Sequence, residues 1–327
     1  MTDPRPRSIT RRQAIQYTGA TTALLLGAGP LASLGFGATR RASQSNPLKI
    51  SLAQWSLHKL LYAGELNHLD FAAEARKMGF AAVEYVNSFF KDKATDAAFL
   101  KEMNTRAADA DVKQLLIMCD GEGNLGDADE AARTRAIENH RKWLDAAKEL
   151  GCHSIRVNAA SSGTWDEQRD RAADGLRRLA DLAEPLDLFV LVENHGGLSS
   201  NGKWLAEVMR TADHPRVGTL PDFGNFCMDW SRSDQPDAWY DRYQGVTELM
   251  PFAKAVSAKS HDFDTDGNET KTDYERMLRI VRETGYSGWI GVEYEGGGLA
   301  PREGSLATKK LIERVWAKLD AEKKTND

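Results

Sequence analysis

Two shortages in this 327-residue chain each remove a class of function. Basic charge is in deficit, with 43 Lys and Arg against 48 Asp and Glu and a formal net charge of −5. Residues 1–38 hold four of the arginines and one aspartate, so the rest carries 39 basic against 47 acidic side chains, near −8. A body of that sign lacks the basic face that nucleic acid or an anionic membrane needs. Cysteine is short as well: Cys119, Cys152 and Cys227 are odd in number and show no C-x-x-C spacing. Neither a disulfide framework nor a thiolate metal site is indicated. No G-x-G-x-x-G stands directly after the first apolar run, at 49–55, where the dinucleotide fingerprint would be expected.

The N-terminus reads as an address rather than as fold. SITRRQAIQ (8–16) carries paired arginines, and Tyr17 to Leu34 is mildly apolar and free of charge, with small residues near Gly35 to Ala38. That is an export signal over 1–38, and the twin arginines point to the Tat machinery and to a periplasmic or extracellular destination. The apolar stretch is too rich in glycine to be a confident membrane span. Residues 39–47 read as a linker, and 48–327 as the folded domain.

Eight short apolar runs follow, at 49–55, 81–86, 112–118, 153–159, 188–193, 216–222, 253–260 and 289–295. Between them lie stretches of helical period such as 69–79, 134–151, 166–184 and 272–285, three of which close on Gly79, Gly151 and Gly285. Alternation of strand and helix repeated eight times predicts a single-domain (β/α)8 TIM barrel, with a doubly wound open sheet as the alternative.

In a parallel barrel the C-terminal ends of the strands share one mouth. The fifth and sixth runs end on Glu193 and Asp222, His261 directly follows the seventh, and Glu293 lies near the end of the eighth. Three carboxylates and an imidazole suit a hard or borderline divalent cation, Mn²⁺ first, with Mg²⁺, Co²⁺ or Zn²⁺ as alternatives. Isolated carboxylates at strand ends are commonly solvated or salt-bridged; four metal-type ligands on consecutive strands are not.

The order Glu, Asp, His, Glu on strands five to eight resembles the xylose-isomerase-like barrels, the sugar phosphate isomerase/epimerase superfamily that includes D-tagatose 3-epimerases, inosose dehydratases and, more distantly, endonuclease IV. The resemblance covers 48–320. It implies that Glu193 and Glu293 both bind the metal and flank the substrate carbon, one removing a proton and the other returning it, with Asp222 a ligand throughout. Two positions depart from the pattern. Asn225 stands where the epimerases usually carry His, and the strand-seven His of the family falls at Ser257 or Lys259. Ser257, Lys259 and His261 share a face by alternation, so His261 reaches a metal only from the strand tip, with His195 as substitute and Lys259 free to hold a substrate oxygen.

Contacts to a sugar are expected from Glu84 at the end of strand two, Arg156 and Asn158 on strand four, Trp55 and His58 after strand one, and His195 and Asn225 after strands five and six; Asp120 is a weaker candidate. His68, His140 and His214 read as surface residues, His153 as structural, and Trp143, Trp204 and Trp316 as packing. Residues 262–274 read as a turn into a helix with Thr272 as N-cap.

A divalent ion held this way can chelate a carbonyl and its neighbouring hydroxyl, acidifying the C–H between them. A carboxylate then removes that proton to an enediolate, and reprotonation gives epimerisation or isomerisation. With no phosphate cradle or paired arginines after strands seven and eight, the expected substrate is a non-phosphorylated ketose or keto-glycoside. The alternatives are a 3-keto-glycoside β-eliminase and a non-catalytic sugar-binding barrel. Seven histidines are too few for a multinuclear zinc phosphodiesterase. Homo-oligomerisation is left open.

Overall fold

The computed structural model describes residues 47–326. The expected export signal and all of the expected linker but Pro47 lie outside the described residues. No helix among those described is long and apolar enough to cross a membrane.

All eight expected strands form: β1 (Ile50–Ala53), β2 (Ala82–Val86), β3 (Lys113–Met118), β4 (Ser154–Val157), β5 (Phe189–Glu193), β6 (Val217–Leu220), β7 (Val256–Ser260) and β8 (Ile290–Tyr294). They make one parallel sheet in the order β6-β5-β4-β3-β2-β1-β8-β7. Its two edges meet through isolated bridges, Thr219 with Ala253 and Asp222 with Ser257. The Ser257 N–H donates to the Pro221 carbonyl at 2.9 Å, and the Phe223 N–H to the Ser257 carbonyl at 3.0 Å. This is the (β/α)8 barrel, and the helices between its strands include Phe71–Lys77, Glu130–Glu149, Trp165–Ala183, Gly202–Ala212 and Tyr274–Glu283.

The apolar run of β5 shows why such strands are hydrophobic on both faces. Val190 and Val192 pack outward in the main core with Trp204 and Leu205, while Leu191 joins Val86, Leu116, Met118 and Leu220 inside the barrel. Side chains alternate along a strand, so Glu193 follows Leu191 on the inner face, one layer nearer the mouth.

Local signals set the helix ends. Gly79, Gly151 and Gly285 have φ of +80°, +68° and +75°, the left-handed conformation that stops a helix where a Cβ would be strained. Thr164 and Glu167 form a reciprocal capping box at Trp165. The cap of Tyr274–Glu283 is Asp273, whose carboxylate accepts from the Arg276 N–H, and not Thr272; the carboxylate one residue later is in register with the first free N–H groups. Gly175 lies so close to the loop after β3 that a Cβ there would sit 1.9 Å from the Leu125 carbonyl oxygen.

Trp143, Trp204 and Trp316 are core residues, as expected. His140 is not on the surface: it is buried on the inner side of its helix, with Nδ1 2.7 Å from the Ala136 carbonyl. His68 is half-buried, stacked on Phe90 and Phe99, and burial pushes its pKa down to about 4.

Candidate active site at the barrel mouth

Glu193 at the tip of β5, Asp222 just beyond β6 and Glu293 in β8 are all buried, and each offers an oxygen within 4.8 Å of the others. A cation with oxygen distances of about 2.1 Å holds opposite ligands roughly 4.2 Å apart, so small side-chain movements would close the three around one ion. Glu193 Oε2 supports the fit, because it is buried and accepts no hydrogen bond. Its neighbour Arg156 Nε lies 2.7 Å away but does not point along that line, which leaves an ionic contact with lone-pair capacity to spare.

The loops hold these oxygens from behind. Asp222 Oδ1 accepts the N–H groups of Gly224 and Asn225, both at 2.8 Å. The Asn225 amide donates to Glu193 Oε1 at 3.0 Å, so Asn225 ties two of the three carboxylates together. Asn194 is buried and locks the β5 and β6 loops, accepting from the Asp222 N–H and donating to the carbonyls of Asp222 and Asn225. Ser257 donates to Asp222 Oδ2 at 2.6 Å and is 3.1 Å from Glu293 Oε2. It is therefore Ser257, within β7, that faces the carboxylates.

His261 does not join them. It follows β7 in a loop, half-buried, with its N–H donating to Glu269, and burial followed by the charge of Lys271 holds its pKa below the usual value. The inward position nearest Glu293 is taken by Lys259, whose ammonium lies 2.9 Å from Glu293 Oε1 and 3.0 Å from Glu295 Oε2. His195 is likewise outside the carboxylate group, but it lines the adjacent cavity.

That cavity, of about 130 Å³, is lined by Trp55, Val86, Met118, Asp120, Arg156, His195, Lys259, Glu293 and Glu295. A larger hollow of about 630 Å³ opens elsewhere, around Tyr243, Lys271 and Arg314, and contains none of the mouth carboxylates. Asp120, the weaker candidate, is central to the mouth: Arg156 Nη1 and Asn158 Nδ2 each donate to its Oδ1 at 2.7 Å. Trp55 Nε1 donates to Glu295, and His58 stacks behind Trp55 at 4.5 Å without reaching the cavity.

Glu84 is a layer too deep. It is fully buried in the middle of β2, hydrogen-bonded by Ser51 Oγ at 2.6 Å, with Oε2 unpartnered and pressed against Gly291; Val86, two residues on, takes the place at the mouth. Glu295 is not among the expected contacts, although GVEYEGG carries its signal, since Glu293 and Glu295 alternate onto one face.

Charge in this closed space is strongly coupled. Burial pushes Glu193 and Asp222 above the usual carboxylate range, against the pull of Arg156 on the first and Lys259 on the second. Burial opposes the charge of Lys259 and Arg156, yet Glu293 for the lysine and Glu193 for the arginine outweigh it, and both cations are held protonated. His195 is kept neutral by burial and then by the neighbouring Arg156 and Lys259. Asp120 and Glu295 are also desolvated but end below their usual values, because Arg156 and Lys259 respectively sit against them. A pocket with two fixed cations and several carboxylates suits proton transfer at carbon.

Residues 72–315 match the family described as Xylose isomerase-like TIM barrel. The chain is 24% identical over 180 residues to an L-ribulose-5-phosphate 3-epimerase of Salmonella heidelberg, covering 50% of this chain and 57% of that protein. It is 23% identical over 262 residues to a putative hydroxypyruvate isomerase of Danio rerio, covering 74% and 87%. Among solved structures, the 3-keto-D-glucoside 4-epimerase of E. coli superposes with a TM-score of 0.63 at 16% identity, over 82% of this chain and 100% of that one. A xylose isomerase-like barrel from Mycobacterium smegmatis in complex with magnesium superposes with a TM-score of 0.61 at 16% identity, over 82% and 96%. The chain belongs to the xylose isomerase-like TIM barrel family.

Proposed function

We propose that this protein is a divalent-cation-dependent sugar isomerase or epimerase acting on a non-phosphorylated ketose or keto-glycoside. One observation carries the reading: Glu193, Asp222 and Glu293 bring buried oxygens within 4.8 Å of one another, and Glu293 also lines the adjoining cavity. Glu193, Asp222 and Glu293 would hold the ion, Mn²⁺ in the first instance. Bound there, it supplies Lewis acidity toward a carbonyl and the neighbouring hydroxyl.

The chain's own groups do the rest. Glu293, open to the cavity, takes the proton from the carbon next to the carbonyl, and Glu193 delivers one from the other side. Lys259 holds the developing oxyanion, since its ammonium is fixed beside Glu293 before substrate arrives. Arg156, anchored by Asp120, binds a hydroxyl, and Trp55 presents an indole to the apolar face of the ring. His195, neutral and desolvated, can donate to or accept from a further hydroxyl. Export through the Tat machinery favours a substrate without phosphate, and the wall of the cavity holds more acidic than basic side chains, which fits an uncharged sugar.

The test is exchange of substrate C–H for deuterium from D₂O across a panel of ketoses and keto-glycosides with Mn²⁺, for wild type and Glu293→Gln. Exchange in wild type that is lost in the variant supports the reading. Sugar binding by calorimetry with no exchange for any substrate would leave a binding barrel instead, and release of aglycone during exchange would identify β-elimination as the outcome.

A further inference from the structure

Among the described residues, three large hydrophobic side chains are exposed: Tyr62 at 63%, Trp230 at 62% and Leu299 at 37%. All three lie in segments leaving the C-terminal end of a strand, after β1, β6 and β8, and so on the face that carries the carboxylates. Chance placement over a surface would scatter them. Two of them, Tyr62 and Trp230, border the mouth itself.

Two contacts tie that surface to the cavity. Tyr62 sits edge-on to the cavity-lining Trp55 at 6.3 Å and packs on Phe89 at 5.1 Å. On the other side, Trp230 lies beside Gly196, next in sequence to the cavity-lining His195; a Cβ on that glycine would be 3.8 Å from the indole nitrogen. Trp239 backs Trp230 edge-on at 5.7 Å. The cavity itself holds about 130 Å³, well below the roughly 300–1,000 Å³ usual for pockets that enclose a whole small-molecule ligand. The polar floor is therefore sized for the reacting part of a substrate, with the remainder resting on the aromatic rim.

We infer that Tyr62 and Trp230 form an aglycone subsite and that the substrate is an aryl keto-glycoside. This rests on the keto-sugar reading above and names its substrate class. An aromatic ring gains from offset or edge-to-face contact with Tyr, Phe and Trp side chains, which are the groups the rim offers.

The experiment compares kcat/KM for deuterium exchange with the methyl and phenyl 3-keto-β-D-glucopyranosides and a 3-keto-disaccharide, in wild type, Tyr62→Ala and Trp230→Ala. Both side chains are largely in solvent, so the variants are expected to fold. We expect wild type to prefer the phenyl over the methyl glycoside by at least tenfold, chiefly through KM, and the preference to shrink severalfold or more in each variant. Equal efficiency with phenyl and methyl glycosides, or a preference that survives both substitutions, overturns the subsite while leaving the keto-sugar reading intact. A disaccharide favoured as strongly as the phenyl glycoside assigns the rim to a sugar ring and overturns the aryl class. No exchange with any of the three overturns the inference, and only the further absence of exchange with the free ketoses of the panel above overturns the isomerase reading as well.

Discussion

Lys259 and Glu293, paired in register on neighbouring strands, form a buried ion pair of 2.9 Å at the wall of the cavity. The carboxylate that Lys259 grips is one of the three that would hold a metal. A divalent ion and this ammonium therefore compete for the same oxygens.

Replacing Lys259 by Met should expose that competition. Removing one partner of a buried pair costs about 3–5 kcal/mol, so the metal-free variant should melt well below wild type. Mn²⁺ should then raise its Tm by more than it raises that of wild type, because the ion relieves the unpaired carboxylates and meets no rival. Thermal melts with and without Mn²⁺ measure both; equal shifts would show that Lys259 and the cation do not contend.

Glu193→Gln and Glu293→Gln should each lower deuterium exchange by about 10²- to 10⁴-fold, the usual contribution of a positioned acid or base. Substrate binding, read by calorimetry, should fall much less. If exchange persists in Glu293→Gln within a few-fold of wild type, the proton is taken by another group.

Glu84 makes the stability of the protein fall as pH rises. Burial, only partly offset by the Ser51 hydrogen bond, pushes its carboxyl up to about 7 from an ordinary 4.5. The folded state thus keeps a proton that the unfolded chain releases, a contribution complete below the unfolded value and lost as pH climbs through about 7. At 1.36 kcal/mol per pKa unit the effect has a ceiling of about 3 kcal/mol. Urea denaturation of wild type and Glu84→Gln between pH 4.5 and 8 should show the variant gaining on wild type as pH rises; parallel curves would mean the carboxyl titrates normally.

Gly175→Ala drives a methyl into the Leu125 carbonyl. Overpacking of this kind costs about 1–3 kcal/mol, and the strained loop also carries Asp120, which anchors Arg156. A lower Tm accompanied by a raised KM is the expected pair of readouts. A normal KM at the lower Tm would show that the loop yields without moving Asp120.

How far these groups can be found in sequence depends on what fixes them. The strands are legible because a barrel stave must be apolar on both faces, and the run ending at Glu193 states this outright. The positions of Glu193, Asp222 and Glu293 at the mouth follow from where those runs stop. Depth along a strand is harder: Glu84 and Val86 share a face, and only the stagger of neighbouring strands decides which one reaches the opening. His261 looks available from alternation, yet the strand ends at Ser260 and the chain turns toward Glu269. His140 reads as a surface residue from its polar neighbours, while its helix buries that side against the loop after β3, where Asn139 and Trp143 bond to Glu122. Contacts between residues far apart in the chain, such as Lys259 with Glu295 or Asn225 with Glu193, leave no trace in a local pattern.

The seam between β6 and β7 has a consequence for motion. That edge is joined by isolated bridges rather than a full ladder, and one of them pairs Asp222 with Ser257, whose side chains also meet. The last stitch that makes the cylinder round is thus the same stitch that gathers the acidic groups. Whatever occupies them acts as a clasp on the whole ring, so filling the pocket should slow hydrogen exchange at the Phe223 and Ser257 amides before it does so anywhere else in the staves.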